Sequence, residues 1–138
     1  FLHWGHDISP EENQYQAGLN FAISYKKPFD FIGKKALEKI KSNKIDRRFA
    51  MFVLKENKPG IPLLLHEEPI YLENKIIGKT TSGNYSFNYN KNISFGYVNT
   101  ELSNDELKDK KIYIEIEKQK YLAEVLFKPL KQSDYKLI

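Results

Sequence analysis

Apolar residues fall at every second position through most of the chain after residue 46, and at helical spacing only once before it. RRFAMFVLK, from Arg47, alternates Phe49, Met51 and Val53, the spacing of a strand. Lys58, Pro59 and Gly60 then mark a turn. EPIYLENKIIGKTTSG reads as a hairpin: Ile70 and Leu72 on one arm, Glu73 and Asn74 at the turn, Ile76 to Thr81 on the other. NISFGYV is a further strand. KIYIEIEKQKYLAEVLF is the clearest hairpin, with Ile112, Ile114 and Ile116 facing one way and Tyr113, Glu115 and Glu117 the other. It turns near Gln119, and Pro129 ends the pairing. About six short strands at regular spacing, with no long helix between them, predict a small antiparallel barrel or sandwich.

Residues 1–45 have a different character. The opening, FLHWGHDISPEENQYQ, has no clean period, and Asp7, Ser9, Pro10 and Asn13 make it a loop. Ala17 to Ile23 places Leu19, Phe21 and Ile23 at spacing two, which predicts a strand ended by Lys26, Lys27 and Pro28. Asp30 is placed to cap a helix running through FIGKKALEKIKS, where Ile32, Ala36, Leu37 and Ile40 recur at helical spacing. The chain therefore divides into a loop, strand and helix over 1–45 and a mainly β part over 46–138.

Composition narrows the field. With 138 residues, 41% apolar and 14% aromatic, the chain can bury a useful core. No run approaches the ~18 apolar residues of a membrane-spanning helix, and no membrane contact is expected. Cysteine is absent, which excludes disulfides and thiolate chemistry and suits a reducing, cytoplasmic setting. The net charge of +4 rests almost wholly on lysine, because arginine occurs only at Arg47 and Arg48. Lysine interspersed with glutamate reads as a solvated surface rather than a nucleic-acid face, and nucleic acid is not expected as a partner.

Isolated chemical motifs carry little. His3, His6 and Asp7 are metal-ligand types, but they lack the H-E-x-x-H spacing and His66 is far away in sequence, so a polar loop is the expectation. Gly78, Lys79 and Thr80 resemble the end of a phosphate loop, yet Glu73 stands where that loop needs glycine. Ser82, in T-T-S-G, reads as a tight turn between strands rather than a nucleophile elbow. Tyr85, Phe87 and Tyr89 alternate as on a base-stacking barrel face, but the same spacing fills a core or an inter-domain contact. A stand-alone barrel binding single-stranded nucleic acid or a protein partner is the alternative these aromatics leave open.

Three stretches together carry more: LHWGHDISPEENQYQAGLNFAI with FDFIGKKAL, PIYLENKIIGKTTSGNYSFNYNKNISFGYV, and YLAEVLFKPLKQSDYKLI. Their order resembles the C-terminal portion of the folate-dependent aminomethyltransferase family. That family includes the T-protein of the glycine cleavage system and the folate-binding halves of dimethylglycine and sarcosine dehydrogenases. The resemblance rests most on Gly78, Thr81, Ser82 and Gly83, followed by Ile93, Ser94, Gly96, Tyr97 and Val98. It implies a six-stranded antiparallel Greek-key barrel over 46–138, with 1–45 as the tail of a folate-binding domain.

It also implies function. The parent enzyme would move a one-carbon unit from an aminomethyl or N-methylamine intermediate to tetrahydrofolate, with FAD in a domain further upstream in the flavin-linked branch. The family's key aspartate lies upstream, so this stretch is expected to be a piece of a longer protein, catalytically incomplete, without catalytic or metal residues, and partnered by the upstream folate-binding domain. Trp4 stands where the family carries a pterin-contacting tyrosine. Lys26 or Lys27 falls near a basic position directed at the folate glutamate tail. Asp7 matches an acid that pins the loop.

Overall fold

The computed structural model describes residues 2–56 and 58–130. Six strands close into one antiparallel barrel: β1 (Arg47–Leu54), β2 (Pro69–Leu72), β3 (Lys75–Ser86), β4 (Lys91–Asn99), β5 (Ile112–Ile116) and β6 (Gln119–Leu126). Their order around the barrel is β1-β4-β3-β2-β5-β6. Three consecutive hairpin strands with β1 returning beside β4 make a Greek key, as expected. A helix α1 (Lys34–Ser42) precedes the barrel, and a short helix α2 (Asn104–Lys108) lies between β4 and β5.

Alternation decides which side chains enter the core. Ile112, Ile114 and Ile116 of β5 point inward as predicted, into the same buried core cluster as Ile70, Val98 and Val125 of β2, β4 and β6. Enclosing one such side chain contributes about 1.5–3 kcal/mol. Strand β1 differs from its reading. Ala50, Phe52 and Leu54 line the interior, while Phe49 and Met51 lie half-buried on the outer face. Both faces of β1 are apolar because residues from the N-terminal segment cover the outer one. There Phe49 stacks on Phe95 at 5.5 Å and meets Tyr97 edge-on at 5.2 Å.

Two glycines set how closely β3 and β4 approach. A Cβ on Gly78 would sit 1.8 Å from the Tyr97 carbonyl oxygen, and one on Gly96 would sit 2.5 Å from that of Lys79. Only hydrogen fits at either place.

Several local expectations change. Ala17–Ile23 is not a strand: it is a succession of turns ending in a single 3-10 turn at Asn20–Ala22. The Asn13 side chain accepts the Tyr15 and Gln16 amides at 3.0 and 3.1 Å, and Ala17 N–H donates to Asn13 at 3.0 Å. These bonds curl the backbone before it can pair, and Phe21 is left 82% exposed. Helix α1 starts at Lys34 with Gly33 as its N-cap, and Asp30 instead pairs with the Lys34 ammonium at 2.9 Å. T-T-S-G is not a turn; it lies inside β3, whose register shifts between Thr80 and Ser82. Phe87 lies at the β3–β4 turn, 77% exposed and edge-on to Tyr85, so it fills no core. Helix α2 has a capping box, in which Ser103 and Glu106 each accept the other's backbone N–H. Its Leu107 is buried in the core cluster.

Candidate functional site

The N-terminal loop reaches the barrel through one buried acid. Asp7 is 1% exposed. Its Oδ2 accepts the His3 amide at 2.7 Å, and its Oδ1 accepts the Thr81 and Ser82 hydroxyls at 2.5 and 2.8 Å. The Tyr97 hydroxyl donates to the Asp7 carbonyl at 2.9 Å. In a regular strand Thr81 and Ser82 would face opposite ways. The irregularity in β3 turns both toward the same oxygen. Asp7 therefore pins the loop, the role its family position implied.

A second anchor lies beside the first. The Arg47 guanidinium sits 3.9 Å above the Tyr97 ring and donates to Glu12 at 2.7 Å. Glu12 also accepts the Ser9 amide and hydroxyl at 2.9 and 2.7 Å. Burial works against ionisation of Glu12, but the Ser9 hydrogen bonds and Arg47 outweigh it and hold the carboxyl below its ordinary range. Burial, with help from the nearby Glu12 charge, pushes the Tyr97 phenol up to about 12. Tyr97 thus stays a neutral hydrogen-bond donor at physiological pH.

What the pinned loop presents is Trp4, 69% exposed. Gly5 N–H closes the loop onto Ile8 at 2.8 Å, with Gly5 at φ 93°. A flat, accessible indole suits stacking on a planar heteroaromatic ring. The histidines gather with one another: His3 and His6 lie edge-on at 4.6 Å, and His6 and His66 at 6.0 Å. His66, remote in sequence, thus joins the other two in space. Among the described residues, no group of three or more His, Cys, Asp or Glu is arranged to hold a metal ion.

Lys26 and Lys27 are exposed on the loop after the 3-10 turn, and the Lys27 ammonium lies 5.9 Å from the Phe29 ring centre. No hydrogen bond or ring contact among the described residues joins either lysine to Trp4. Sequence reasoning missed the partners of the loop, namely Thr81, Ser82, Tyr97, Arg47 and Glu12. The T-S pair belongs to a family motif, but nothing in its spacing ties residue 81 to residue 7. An apolar cavity of about 560 Å³ lies between residues 17–21 and the outer face of β1, lined by Phe21, Phe49, Met51, Phe95 and Phe127 among others. It contains neither Trp4 nor the two lysines.

Known proteins share this architecture. Residues 47–131 match the model described as the glycine cleavage T-protein C-terminal barrel domain. Dimethylglycine dehydrogenase, mitochondrial, of Rattus norvegicus is 33% identical over 130 residues, covering 94% of this chain and 14% of that protein. The aminomethyltransferase of Listeria innocua is 36% identical over 126 residues, covering 91% of this chain and 33% of that protein. The chain therefore spans between a seventh and a third of these relatives. The crystal structure of glycine cleavage system aminomethyltransferase T from Bartonella henselae superposes with a TM-score of 0.72 over 99% of this chain and 37% of the other, at 21% identity, which shows a shared fold. A closed six-stranded barrel, a family match across all six of its strands and relatives above 30% identity lead to one assignment: the chain belongs to the family defined by the glycine cleavage T-protein C-terminal barrel domain.

Proposed function

We propose that this chain serves a tetrahydrofolate-dependent enzyme that transfers a one-carbon unit from an aminomethyl or N-methylamine intermediate. Its own part is to support the folate site, and it is catalytically incomplete alone. In this reading residues 1–45 are the tail of the folate-binding domain and 46–138 the barrel. The observation that carries it is the exposed Trp4 indole on a loop anchored by a buried acid, in a chain whose relatives are named aminomethyltransferase and dimethylglycine dehydrogenase. Trp4 would lie against the pterin. Lys26 and Lys27, both exposed, would meet the folate glutamates as point charges. Tetrahydrofolate, when bound, supplies the amines that accept the one-carbon unit, and FAD belongs to an upstream domain of the dehydrogenase type.

The partner in this reading is the upstream folate-binding domain. Helix α1 has no buried residue, and Phe21, Phe29 and Ile32 are exposed, which supports an apolar face made for more protein. A cytoplasmic setting is supported by the absence of cysteine. No helix among the described residues is long and apolar enough to cross a membrane.

Titration of the full-length protein with reduced folate tests the reading. Tryptophan emission is expected to be quenched, and the quenching to be lost in Trp4→Phe. An unchanged spectrum at saturating folate removes Trp4 from the site.

A further inference from the structure

We infer that Asp7, Thr81 and Ser82 are positioning residues that hold Trp4 in place for its ligand. The inference deepens the folate reading and rests on it for the identity of that ligand. Three observations carry it. First, in the loop from His3 to Ile8 only Asp7 is buried, while His3, Trp4 and His6 are exposed. The loop buries no apolar side chain fully, with Ile8 only half-buried, so its orientation depends mainly on polar contacts. Second, both oxygens of the Asp7 carboxylate are engaged, one by the His3 amide next to Trp4 and the other by two hydroxyls of β3. The acid thus joins the residue preceding the indole to the barrel wall. Third, consecutive side chains reach one oxygen only because the register of β3 shifts between Thr80 and Ser82. A regular strand would send one of the two hydroxyls away.

The contact is also separable from the fold. Thr81 and Ser82 are outside the buried apolar cluster. Their loss is expected to leave the barrel folded and to act on the indole.

Trp4 is the only tryptophan of the 138 residues, so its fluorescence reports the loop directly. The experiment compares unaltered chain, the double variant Thr81→Val with Ser82→Ala, and Thr81→Ser, using time-resolved anisotropy of Trp4 and far-ultraviolet melting. The double variant is expected to keep its β-sheet melting transition while the fast nanosecond component of the anisotropy rises about twofold. Thr81→Ser keeps the hydroxyl and is expected to return the unaltered decay. In the full-length protein, reduced folate is expected to bind the double variant about tenfold more weakly. An unchanged anisotropy decay in a folded double variant overturns the inference. If that variant fails to fold, Asp7→Ala replaces it. Alanine removes both acceptor oxygens, so the His3 amide and the two hydroxyls lose their common partner; the same rise in fast motion is expected, and its absence is again fatal. Failure of reduced folate to bind the unaltered full-length protein removes the functional reading alone, because the anisotropy decides the positioning without any ligand.

Discussion

Phe52, Ile70, Val98 and Ile114 are fully enclosed within the barrel, whereas in residues 2–46 only Ala17 and Asp7 are buried. The barrel is held by apolar contacts that its own strands supply. The segment before it is held by directed polar contacts to the barrel's outer wall: Asp7 to Thr81 and Ser82, and Glu12 to Arg47. Apolar burial depends little on exact geometry, but hydrogen bonds fail when a donor moves by an ångström. The barrel should therefore be the robust body and the segment the adjustable one.

Breaking the barrel should have the largest effect. Gly78→Ala places a methyl group on the Tyr97 backbone, which has no flexible end to yield. The expected outcome is loss of the folded state, visible as a missing cooperative transition in circular dichroism. Phe52→Ala removes a fully enclosed ring from β1 and should cost about 3–5 kcal/mol in urea unfolding. The N-terminal segment should come free in the same transition, because its anchors sit on the barrel wall.

Changes to the segment should be smaller and should depend on pH. Glu12 is held below its ordinary pKa of 4.5, so its contribution is complete above about that pH and is lost as the pH falls through the lower folded value. Glu12→Gln should cost about 1 kcal/mol or less at neutral pH. It should also flatten the acid limb of a stability-against-pH curve. A variant whose acid limb matches that of the unaltered chain would mean that Glu12 does not anchor the segment. The smallest effect is expected at Lys44, whose ion pair with Glu101 is largely exposed. Lys44→Ala should stay within about 0.5 kcal/mol in the same urea assay.

The same contrast explains what is readable from sequence. The β2–β3 and β5–β6 hairpins are legible because alternation and turn residues are local signals, and the barrel interior selects one face of each strand. The inward face of β1 is not, since both of its faces are apolar and alternation alone does not rank them. Helix α2 carries its sign in Ser103 and Glu106, but five residues are too few for a helical period to show. Ala17–Ile23 misleads because Leu19, Phe21 and Ile23 mimic a strand while the Asn13 side chain organises turns just before them. Trp4 stands out in the sequence only by family position. Its supports lie 74 and 75 residues away from Asp7. No periodicity encodes a contact of that range.

Closure of the barrel has one more consequence. Every strand is paired on both sides, from β1 through β6 and back to β1. Among the described residues no strand presents a free edge along its whole length; one-sided pairing is confined to strand ends, such as Arg47–Ala50 toward β6 and Ser82–Ser86 toward β2. The sheet therefore has no full-length edge from which to unravel. A chain that docks on this body is met mainly by side chains and loops, with only short stretches of backbone open to pairing.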